Sequence, residues 1–487
     1  MRVVLIGGAN LRRSIIAGVE RCENLYIDAN EPSVSPVPFT YYPRPGLIKR
    51  AQRLPVQPNP VQAIFQSVAT GQGYCVIAGA VFKLNADWTL VYIGAVSNAS
   101  TLIKHWDAGN YIVLVDGSNN GWKLDVFANT VTMIVDPTGT FVGSRFVAGL
   151  ETFMIAANPG TNLFNSSLSN TLTWDPTYVA ALSQDPSEIL GFVVVKKLLL
   201  LIQKRTSELW YNAGSAAFPF AAYPGVFFEQ GCVAPYSIAT NDLNTFWLSR
   251  DKNGVGFVVK QSGYDCVKIS NSTLEFAISQ MPVIDDAVGN CFQLAGKMFY
   301  ILTFPTADQT WVWEATNPKD WVRWGWTDPN TGILHRHRGL TFGCVYNKCL
   351  VGDWGNGTIY EQSLTQYQDD TADVHYVRTV PHLSEISGPS GPMTTDGNVV
   401  TVSQIKIDME CGTVNGATVA LRWSRDRGRT WSTDLLQSTG NVGEYQTQPM
   451  WNINARARDI VFEIEWKYGP AALNGVWLGG VAISTER

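Results

Sequence analysis

Short runs of apolar residues, each about five to eight residues long and closed by Gly, Asn, Asp or Pro, recur between residues 63 and 366. Runs of this length, with alternating or continuous apolar positions, are typical of β-strands. They form seven groups: Tyr74–Gly94, Tyr111–Val135, Phe146–Trp174, Leu190–Tyr211, Phe246–Ile269, Cys291–Trp326 and Leu340–Tyr360. Strand groups at such even spacing predict the blades of a β-propeller, which we place at residues 61–366.

Residues 1–60 have a different pattern, with one short apolar run and then many prolines. Proline fixes φ and lacks a backbone donor, so a proline-rich stretch favours an extended path along another surface. We therefore predict an extended N-terminal arm over residues 1–60. Its first prolines are Pro32, Pro36, Pro38, Pro43 and Pro45.

A second break lies at residues 367–398, where acidic residues and the run Ser387–Pro392 predict a linker. Strand-like alternation returns after it and predicts a β-sandwich-like domain over residues 399–487. The expected strands are Val399–Met409, Ala417–Trp423, Ile460–Trp466 and Val476–Ile483. We find no long amphipathic helix, so the predicted fold class is all-β.

The composition suits a protein that is partly covered by partners. The chain has 487 residues, of which 45% are hydrophobic and only 16% are charged, and it contains 17 Trp. Charged residues usually make up about 25% of a soluble domain, and Trp is favoured at protein interfaces. The net charge of −5 argues against a surface that grips DNA tightly.

Neither a membrane anchor nor a metal site is expected. The longest apolar run, Leu190–Ile202, is interrupted by two lysines and is too short to span a bilayer. The N-terminus has no cleavable signal, so we expect synthesis in a reducing cytoplasm. The eight Cys lack a CxxC pair and are predicted to be buried thiols, including the closest pair, Cys344 and Cys349, which has His335 and His337 nearby.

The sharpest local motif is the sequence Ser-Arg-Asp-Arg-Gly-Arg-Thr-Trp at residues 424–431, which fits an Asp-box. In such a turn the Asp accepts backbone amide hydrogen bonds, the Gly takes a positive φ and the Trp packs beneath the loop. Sialidases repeat this box on several blades, whereas this chain has it once, outside the predicted propeller. We interpret Ser424, Asp426, Gly428 and Trp431 as a structural turn.

Catalytic readings have weaker support. Glycoside hydrolysis needs two carboxylates placed across a sugar. The candidate acids are Asp285, Asp286, Asp353, Asp369 and Asp370, and we interpret them as solvated turn residues. A G-x-S-x-G elbow is absent from the sequence. We predict no catalytic residue and no cofactor. A carbohydrate-active propeller, either a sialidase-like hydrolase or a lectin, stays the alternative function.

Two further clusters have more than one reading. Trp311, Trp313, Trp321, Trp324 and Trp326 could form a platform for sugar stacking, but dense Trp more often packs inside the protein. We favour packing. Arginines such as Arg336, Arg338 and Arg378 could face a DNA channel, and we favour an ordinary surface or salt-bridge role for them.

Three short N-terminal motifs carry a family resemblance. They are the segments Gly7–Ala17, Arg21–Tyr26 and Tyr41–Leu47, which read GGANLRRSIIA, RCENLY and YYPRPGL. In this order they resemble the phage packaged-DNA stabilization protein family, the tail hub or nozzle of short-tailed phages. Arg427 stands where relatives carry the first glycine of a late turn, and Ile27–Ala29 follows Tyr26 where relatives tend to have Pro-Glu.

The resemblance implies a structural component of the virion tail and no enzyme. It implies a homo-hexameric ring below the portal and its head-to-tail adaptor protein, retaining DNA that passes through without sequence-specific binding. Further implied partners are a tailspike or tail fibre and a tail needle or plug. The candidate assembly residues are Arg12, Arg13, Arg21, Tyr26, Tyr41, Tyr42, Pro43 and Pro45. A third hypothesis is another phage structural protein, such as a tail fibre or baseplate component. The number of copies in the virion distinguishes it from a hub.

Overall fold

The computed structural model describes the chain except residues 1, 4, 6, 16–17, 31–36, 56–57, 98–101, 169–170, 242, 384, 389–390, 395–398, 468, 470 and 485–487, and describes the backbone alone at residues 2, 385–388, 391–394 and 483–484. Pro32 and Pro36 of the predicted arm lie outside the described residues, as do residues 389–390 of the predicted linker.

The N-terminal segment forms seven strands: β1 (Arg2–Val3), β2 (Asn10–Leu11), β3 (Val19–Glu20), β4 (Cys22–Glu23), β5 (Leu25–Ala29), β6 (Phe39–Pro43) and β7 (Gly46–Gln52). β2 pairs with β3, and β5 pairs with β6. β1, β4, β6 and β7 pair with strands that come much later in the chain.

The propeller begins at residue 61 with three blades of four strands each. They are blade 1, β8 (Val61–Gln66), β9 (Gly73–Ile77), β10 (Ala80–Leu84) and β11 (Leu90–Ala95); blade 2, β12 (Lys104–Asp107), β13 (Tyr111–Val115), β14 (Gly121–Asp125) and β15 (Thr130–Met133); and blade 3, β16 (Val147–Leu150), β17 (Phe153–Ala157), β18 (Leu163–Ser167) and β19 (Trp174–Ala181).

Blades 4 and 5 follow the same antiparallel pattern. Their strands are β20 (Ile189–Val195), β21 (Leu198–Gln203), β22 (Ser207–Asn212) and β23 (Phe220–Phe228), then β24 (Ala239–Thr240), β25 (Asn244–Arg250), β26 (Gly256–Ser262) and β27 (Asp265–Lys268). A 3₁₀ turn at Pro235–Ser237 links the two blades.

A single helix in the described part of the chain, α1 (Ser272–Ser279), follows blade 5. The side chain of Asn271 accepts a hydrogen bond from the Leu274 amide and caps its first turn. Within the described residues, no helix has the length and apolar character needed to cross a membrane.

Blades 6 and 7 complete the ring. They contain β28 (Val288–Leu294), β29 (Lys297–Phe304), β30 (Gln309–Glu314) and β31 (Trp321–Thr327), with β32 (Leu334–Arg336) paired to β31, then β33 (Gly339–Val345), β34 (Lys348–Asp353) and β35 (Thr358–Ser363). The fourth strand of blade 7 is β7, which pairs antiparallel with β35. The propeller is therefore closed by a strand from the N-terminal segment.

Each of the seven strand groups predicted from the sequence falls within one blade, so the prediction of a propeller is confirmed. The first strands of neighbouring blades lie side by side, as in β12 and β16, β16 and β20, and β28 and β33. β33 packs against β8, which brings the last blade against the first.

The C-terminal strands are β36 (Gln368–Asp369), β37 (Ala372–Asp373), β38 (His375–Thr379), β39 (Glu385–Gly388), β40 (Gly391–Thr394), β41 (Val399–Met409), β42 (Thr418–Ser424), β43 (Leu435–Ser438), β44 (Met450–Ala457), β45 (Val461–Lys467), β46 (Leu473–Gly479) and β47 (Ala482–Ser484). One sheet of the sandwich has the order β44-β41-β46-β6-β5, with β1 on β46 and β47 on β41. The other has the order β4-β38-β45-β42-β43 and continues through β4 into blade 6.

The extended arm predicted over residues 1–60 is not observed as a separate arm. Apart from the β2–β3 pair, its strands pair within the sheets of the propeller and the sandwich of the same chain, because their apolar side chains, such as Leu25, Ile27 and Tyr41, are buried in the core shared by both domains. The predicted linker also contains a central sheet strand, β38, whose Tyr376 is fully buried. Both domains thus take strands from segments that the sequence pattern marked as connections.

Candidate functional site

Four of the eight candidate assembly residues lie on one pair of strands, Tyr26 on β5 and Tyr41, Tyr42 and Pro43 on β6. β5 pairs with β6 in antiparallel register, with Leu25 opposite Pro43 and Tyr26 opposite Tyr42. The rings of Tyr26 and Tyr42 stack with their centres 5.5 Å apart, and Phe299 of blade 6 packs edge-on against Tyr26. This strand pair lies where blade 6, blade 7 and the sandwich meet, a region we call the junction.

A buried ion pair holds the junction. Arg44 and Asp369 are both almost fully buried, and the guanidinium donates to both carboxylate oxygens, at 3.0 and 2.5 Å. Arg44 also donates to the carbonyls of Pro45 and Gly325 and to the side-chain oxygen of Asn24. The fork geometry of Arg suits this many acceptors at once, so the pair is well satisfied.

Asn24 connects three segments of the chain through its side chain. Its amide nitrogen donates to the carbonyl of His375, and its oxygen accepts from the Gly325 amide as well as from Arg44. Its φ of 57° lies in the left-handed region, which Asn tolerates better than most residues. Asn24 therefore fixes the N-terminal segment between blade 6 and the sandwich.

A second buried arginine, Arg378, lies among backbone carbonyls. It donates to the carbonyls of Gly7, Gly8 and Arg21 and to the hydroxyl of Tyr41, whose ring centre lies 4.8 Å from the guanidinium carbon. It is not in a DNA channel and not on the surface. The sequence suggested either a DNA channel or an ordinary surface or salt-bridge role for Arg378, and its position in the core differs from both.

The candidate assembly residues separate into two sets. Tyr41, Pro43 and Pro45 are buried within the chain, and Arg21, which is partly exposed, pairs with Glu23 and Glu463, so these four stabilise the junction itself. Their side chains are already engaged inside one chain. Among the other four, Arg12 and Arg13 are exposed, and Tyr26 and Tyr42 are partly exposed.

The exposed arginine Arg12 contacts the propeller. Its side chain donates to the Asn10 side chain and to the Ser272 hydroxyl at the start of α1. Arg13 is exposed beside it. An assembly role for these two arginines stays a prediction.

The Asp-box forms the loop between β42 and β43. The Asp426 carboxylate accepts from the backbone amides of Arg429 and Thr430, and the Ser424 hydroxyl accepts from the Gly428 amide. Hydrogen bonds from the Thr430 hydroxyl and amide hold the pKa of Asp426 well below its usual range. Gly428 has a φ of 88° and lies against Val19 of the N-terminal segment. The box is a turn that packs on β3.

The partner side chain of the box, Trp431, is partly buried. The guanidinium carbon of Arg422 lies 5.1 Å from its ring centre, and Arg422 also pairs with the buried Glu463. Arg21 pairs with Glu463 from the N-terminal segment. The carboxylate of Glu463 thus connects the Asp-box loop to the junction.

The Trp cluster packs inside the protein, as favoured from the sequence. Trp311, Trp313, Trp321 and Trp324 are each at most 1% exposed, whereas Trp326 is partly exposed and lies between His335 and Arg338. The indole nitrogen of Trp324 donates to the carbonyl of Leu25, which ties blade 6 to β5. Because their faces are covered, these rings offer no platform for a sugar.

A cavity of about 580 Å³ lies among loops of six blades at one mouth of the propeller. Its wall includes Asp116, Asp285 and Asp286 together with Arg145 and Arg336. Arg336 lies over the ring of Trp354, with 4.1 Å from the guanidinium carbon to the ring centre. Asp353 and Arg338 pair with each other beside this mouth. This mouth of the propeller therefore carries both acidic and basic side chains.

The cysteines are less buried than the sequence suggested. Cys22, Cys75, Cys232 and Cys411 are buried, but Cys344 is exposed, because its side chain lies near the tip of the β33–β34 hairpin. The nearby histidines are used elsewhere: His335 binds Asp308, and His337 accepts from the Gly339 amide. Among the described residues, no cluster of three or more metal-ligating side chains occurs.

Sequence reasoning missed the residues that build the junction. Arg44, Asp369 and Arg378 stand in segments predicted as an arm and a linker, and their side chains find their partners only after folding. The interpretation of Asp369 and Asp353 as solvated turn residues is wrong, because each is 2% exposed and pairs with an arginine. Arg44 does sit within one of the motifs that carry the family resemblance, but its charge gave no signal of burial. The geometry describes a protein of two joined β-domains with a shared core.

Comparison with known families agrees with this class. The propeller matches the family model described as Bacteriophage P22 Gp10, beta-propeller, over residues 45–366. The sandwich matches Bacteriophage P22 Gp10, beta-sandwich, over residues 390–476. The chain belongs to this family, which confirms the resemblance and the all-β fold, and it is a structural protein of a phage tail.

Other comparisons add little. No curated protein matches this chain in sequence. A solved structure described as the crystal structure of the N-terminal domain of Nup159 is similar over 71% of this chain and 99% of that chain, at 10% identity and a TM-score of 0.41.

Proposed function

We propose that this protein is the tail hub, or nozzle, of its phage: six copies form a ring below the portal and its adaptor, retain the packaged DNA, and dock tailspikes or fibres and the needle. Membership of the P22 Gp10 family through both domains is the observation that carries the proposal. The surfaces of the propeller support it further.

One exposed apolar patch lies on the outer edge of blades 1 and 2, whose outer strands β11 and β15 touch each other. We call it the blade 1–2 patch, and its residues are Val91, Tyr92, Phe127, Met133 and Val135, exposed by 47–73%. Several exposed apolar side chains on neighbouring edge strands are typical of protein interfaces. It suits contact with another protein chain.

A second patch lies on the outer edge of blades 4 and 5. This blade 4–5 patch contains Phe227, Tyr264 and Val267, all about half exposed, with Tyr223 stacked on Tyr264. Two different patches on separate blades suit head-to-tail contacts, which close into rings when the rotation between copies allows it. Self-assembly through unlike surfaces is therefore supported.

The charge supports a passage through which DNA slides. A net charge of −5 gives no general attraction for phosphate, and tight binding to DNA needs clustered Lys and Arg. The arginines Arg44 and Arg378 are buried in the junction and unable to reach DNA. Retention would then depend on a plug and on the ring, with no sequence-specific grip.

Cryo-electron microscopy of the intact virion tests the position. Six copies around the tail axis, directly below the adaptor, are expected. Copies at the periphery, a different symmetry, or absence from the particle would overturn the hub, and turnover of a glycan by the purified chain would favour the carbohydrate-active alternative.

The patches are tested separately in the purified chain with its adaptor. Tyr92→Glu and Tyr264→Glu each place a charge on one patch and should lower the ring fraction seen by native mass spectrometry. Tyr445→Glu, at an exposed tyrosine of the sandwich, is the control. If both patch variants form rings as the wild type does, the patches are not the subunit contacts. Particles carrying a patch variant should also lose packaged DNA faster.

A further inference from the structure

The hairpin of β33 and β34 places two cysteines opposite each other. Cys344 pairs with Cys349 in the antiparallel register, next to the turn at Tyr346 and Asn347, and the two sulfur atoms are 3.9 Å apart. Both turn residues have positive φ, 53° and 59°, as in the two-residue turns that match strand twist. Directly opposed strand residues have the Cα separation that a disulfide requires.

The pair is accessible, and one sulfur is activated. Cys344 is exposed and Cys349 partly exposed, whereas burial raises the pKa of Cys22 and Cys232 to about 12. The Cys349 sulfur lies within hydrogen-bond distance of Cys344 Sγ and of the Gln293 carbonyl. Its contact with Cys344 lowers the pKa of the Cys344 thiol, and the pKa of Cys349 rises accordingly. A thiolate beside a second thiol is the arrangement from which disulfides form.

We propose that Cys344 and Cys349 form a reversible disulfide when the protein meets a low-molecular-weight disulfide such as oxidised glutathione. The Cys344 thiolate attacks one sulfur of the oxidant and releases one thiolate, which leaves a mixed disulfide on Cys344. The Cys349 sulfur, losing its proton to solvent, then attacks Cys344 Sγ and releases the second thiolate. The cysteine pair is oxidised by two electrons and the oxidant is reduced to two thiols.

The position gives this bond a structural consequence. The turn residue Tyr346 reaches from blade 7 into blade 1, where its hydroxyl accepts from the Gly73 amide and the Gln72 side chain and donates to the Leu84 carbonyl. A bond between Cys344 and Cys349 holds the two strands that carry this turn. Oxidation therefore stabilises the contact between blades 7 and 1, where the propeller ring closes, a contact we call the seam.

The test is a redox titration of the full-length protein in mixtures of reduced and oxidised glutathione. Samples are acid-quenched, unfolded and alkylated, and the peptide containing both cysteines is weighed. Two fewer of the eight thiols should react after oxidation, the loss of two hydrogens should map to this peptide, and dithiothreitol should restore both thiols.

Variants separate this pair from general oxidation. Cys344→Ser and Cys349→Ser should each abolish the loss of two hydrogens, and Cys266→Ser, at another partly exposed cysteine in blade 5, should leave it unchanged. Glutathione adducts that never resolve, protection of other cysteines, or full alkylation at every ratio would each overturn the proposal. Exchange of the Gly73 amide should slow on oxidation of the wild type and stay constant in both serine variants.

Discussion

The blades of the propeller and the junction are built in different ways. Blade 4 uses four consecutive strands between Ile189 and Phe228, and its second strand buries an unbroken apolar run at Leu199–Ile202. The junction instead brings Arg44 to Asp369 and Arg378 to Gly8, across more than 300 residues, and buries two arginines.

This difference has an energetic consequence. Apolar packing is non-directional and tolerates many arrangements of similar volume. A buried ion pair differs, because removing one partner leaves the other charge buried without compensation. The blades should therefore tolerate conservative substitution, and the junction should respond sharply to loss of a single polar partner.

The largest effect is expected from Asp369→Ala, which leaves the Arg44 guanidinium buried without its carboxylate. Breaking a buried pair in this way costs roughly 3–5 kcal/mol. Urea unfolding followed by Trp fluorescence measures it. The control is Arg50→Ala on β7, which breaks the partly exposed pair between Arg50 and Glu361 of β35 and should cost less than about 1 kcal/mol. Equal costs would erase the contrast between junction and blades.

The next effect is expected from Arg378→Met, which removes the donor to three carbonyls and to the Tyr41 hydroxyl. Hydrogen bonds from a charged donor are worth about 1.5–3 kcal/mol, so a cost of about 2–3 kcal/mol is expected. Hydrogen exchange should rise in β4 to β6 more than in any blade. If Arg378→Lys is as stable as the wild type, the charge matters and the fork geometry does not.

A smaller effect is expected at the seam of the propeller. Tyr346→Phe keeps the ring but removes the hydroxyl that satisfies the Gly73 amide and the Leu84 carbonyl, at a cost of about 1–2 kcal/mol. Faster exchange of the Gly73 amide reports it. Tyr445→Phe, on the exposed surface of the sandwich, should change nothing measurable. Exchange that rises in the junction before it rises at the seam would contradict this assignment.

The smallest effect is expected from pH, and its sign should differ between the two domains. A hydrogen bond to Asp459 raises the pKa of His382, so its stabilisation is complete below about pH 6.5 and is lost as the pH rises through the higher folded-state pKa. Burial lowers the pKa of His337 well below its usual value, so its contribution instead falls as the pH drops below about 6.5.

Unfolding midpoints between pH 5 and 8.5 measure both slopes. His382→Gln should remove the decline at higher pH, a change of less than about 1 kcal/mol. His337→Asn should reduce the decline at lower pH while keeping an acceptor for the Gly339 amide, and the lowered pKa of His105 retains part of that decline. The assignment is wrong if His382→Gln alters the decline at lower pH or if His337→Asn alters the decline at higher pH.

The sequence by itself determined the all-β class, the strand groups that become the blades, the sandwich strands β41, β42 and β45, and the resemblance to the family. Each of these depends on short-range alternation or on motifs read along a few residues, and strands that pair with their sequence neighbours need no distant information. The turn chemistry at Asp426 and Gly428 was determined in the same local way.

Only the tertiary structure decided the roles of the first 60 residues and of residues 367–383. Short strands such as β4 and β38 carry too few residues for a pattern, and their pairing across the chain is set by which sheet edges are left open. The burial of Arg44 and Arg378 follows from that pairing, because a charge is stable in a core only where folding brings its acceptors together.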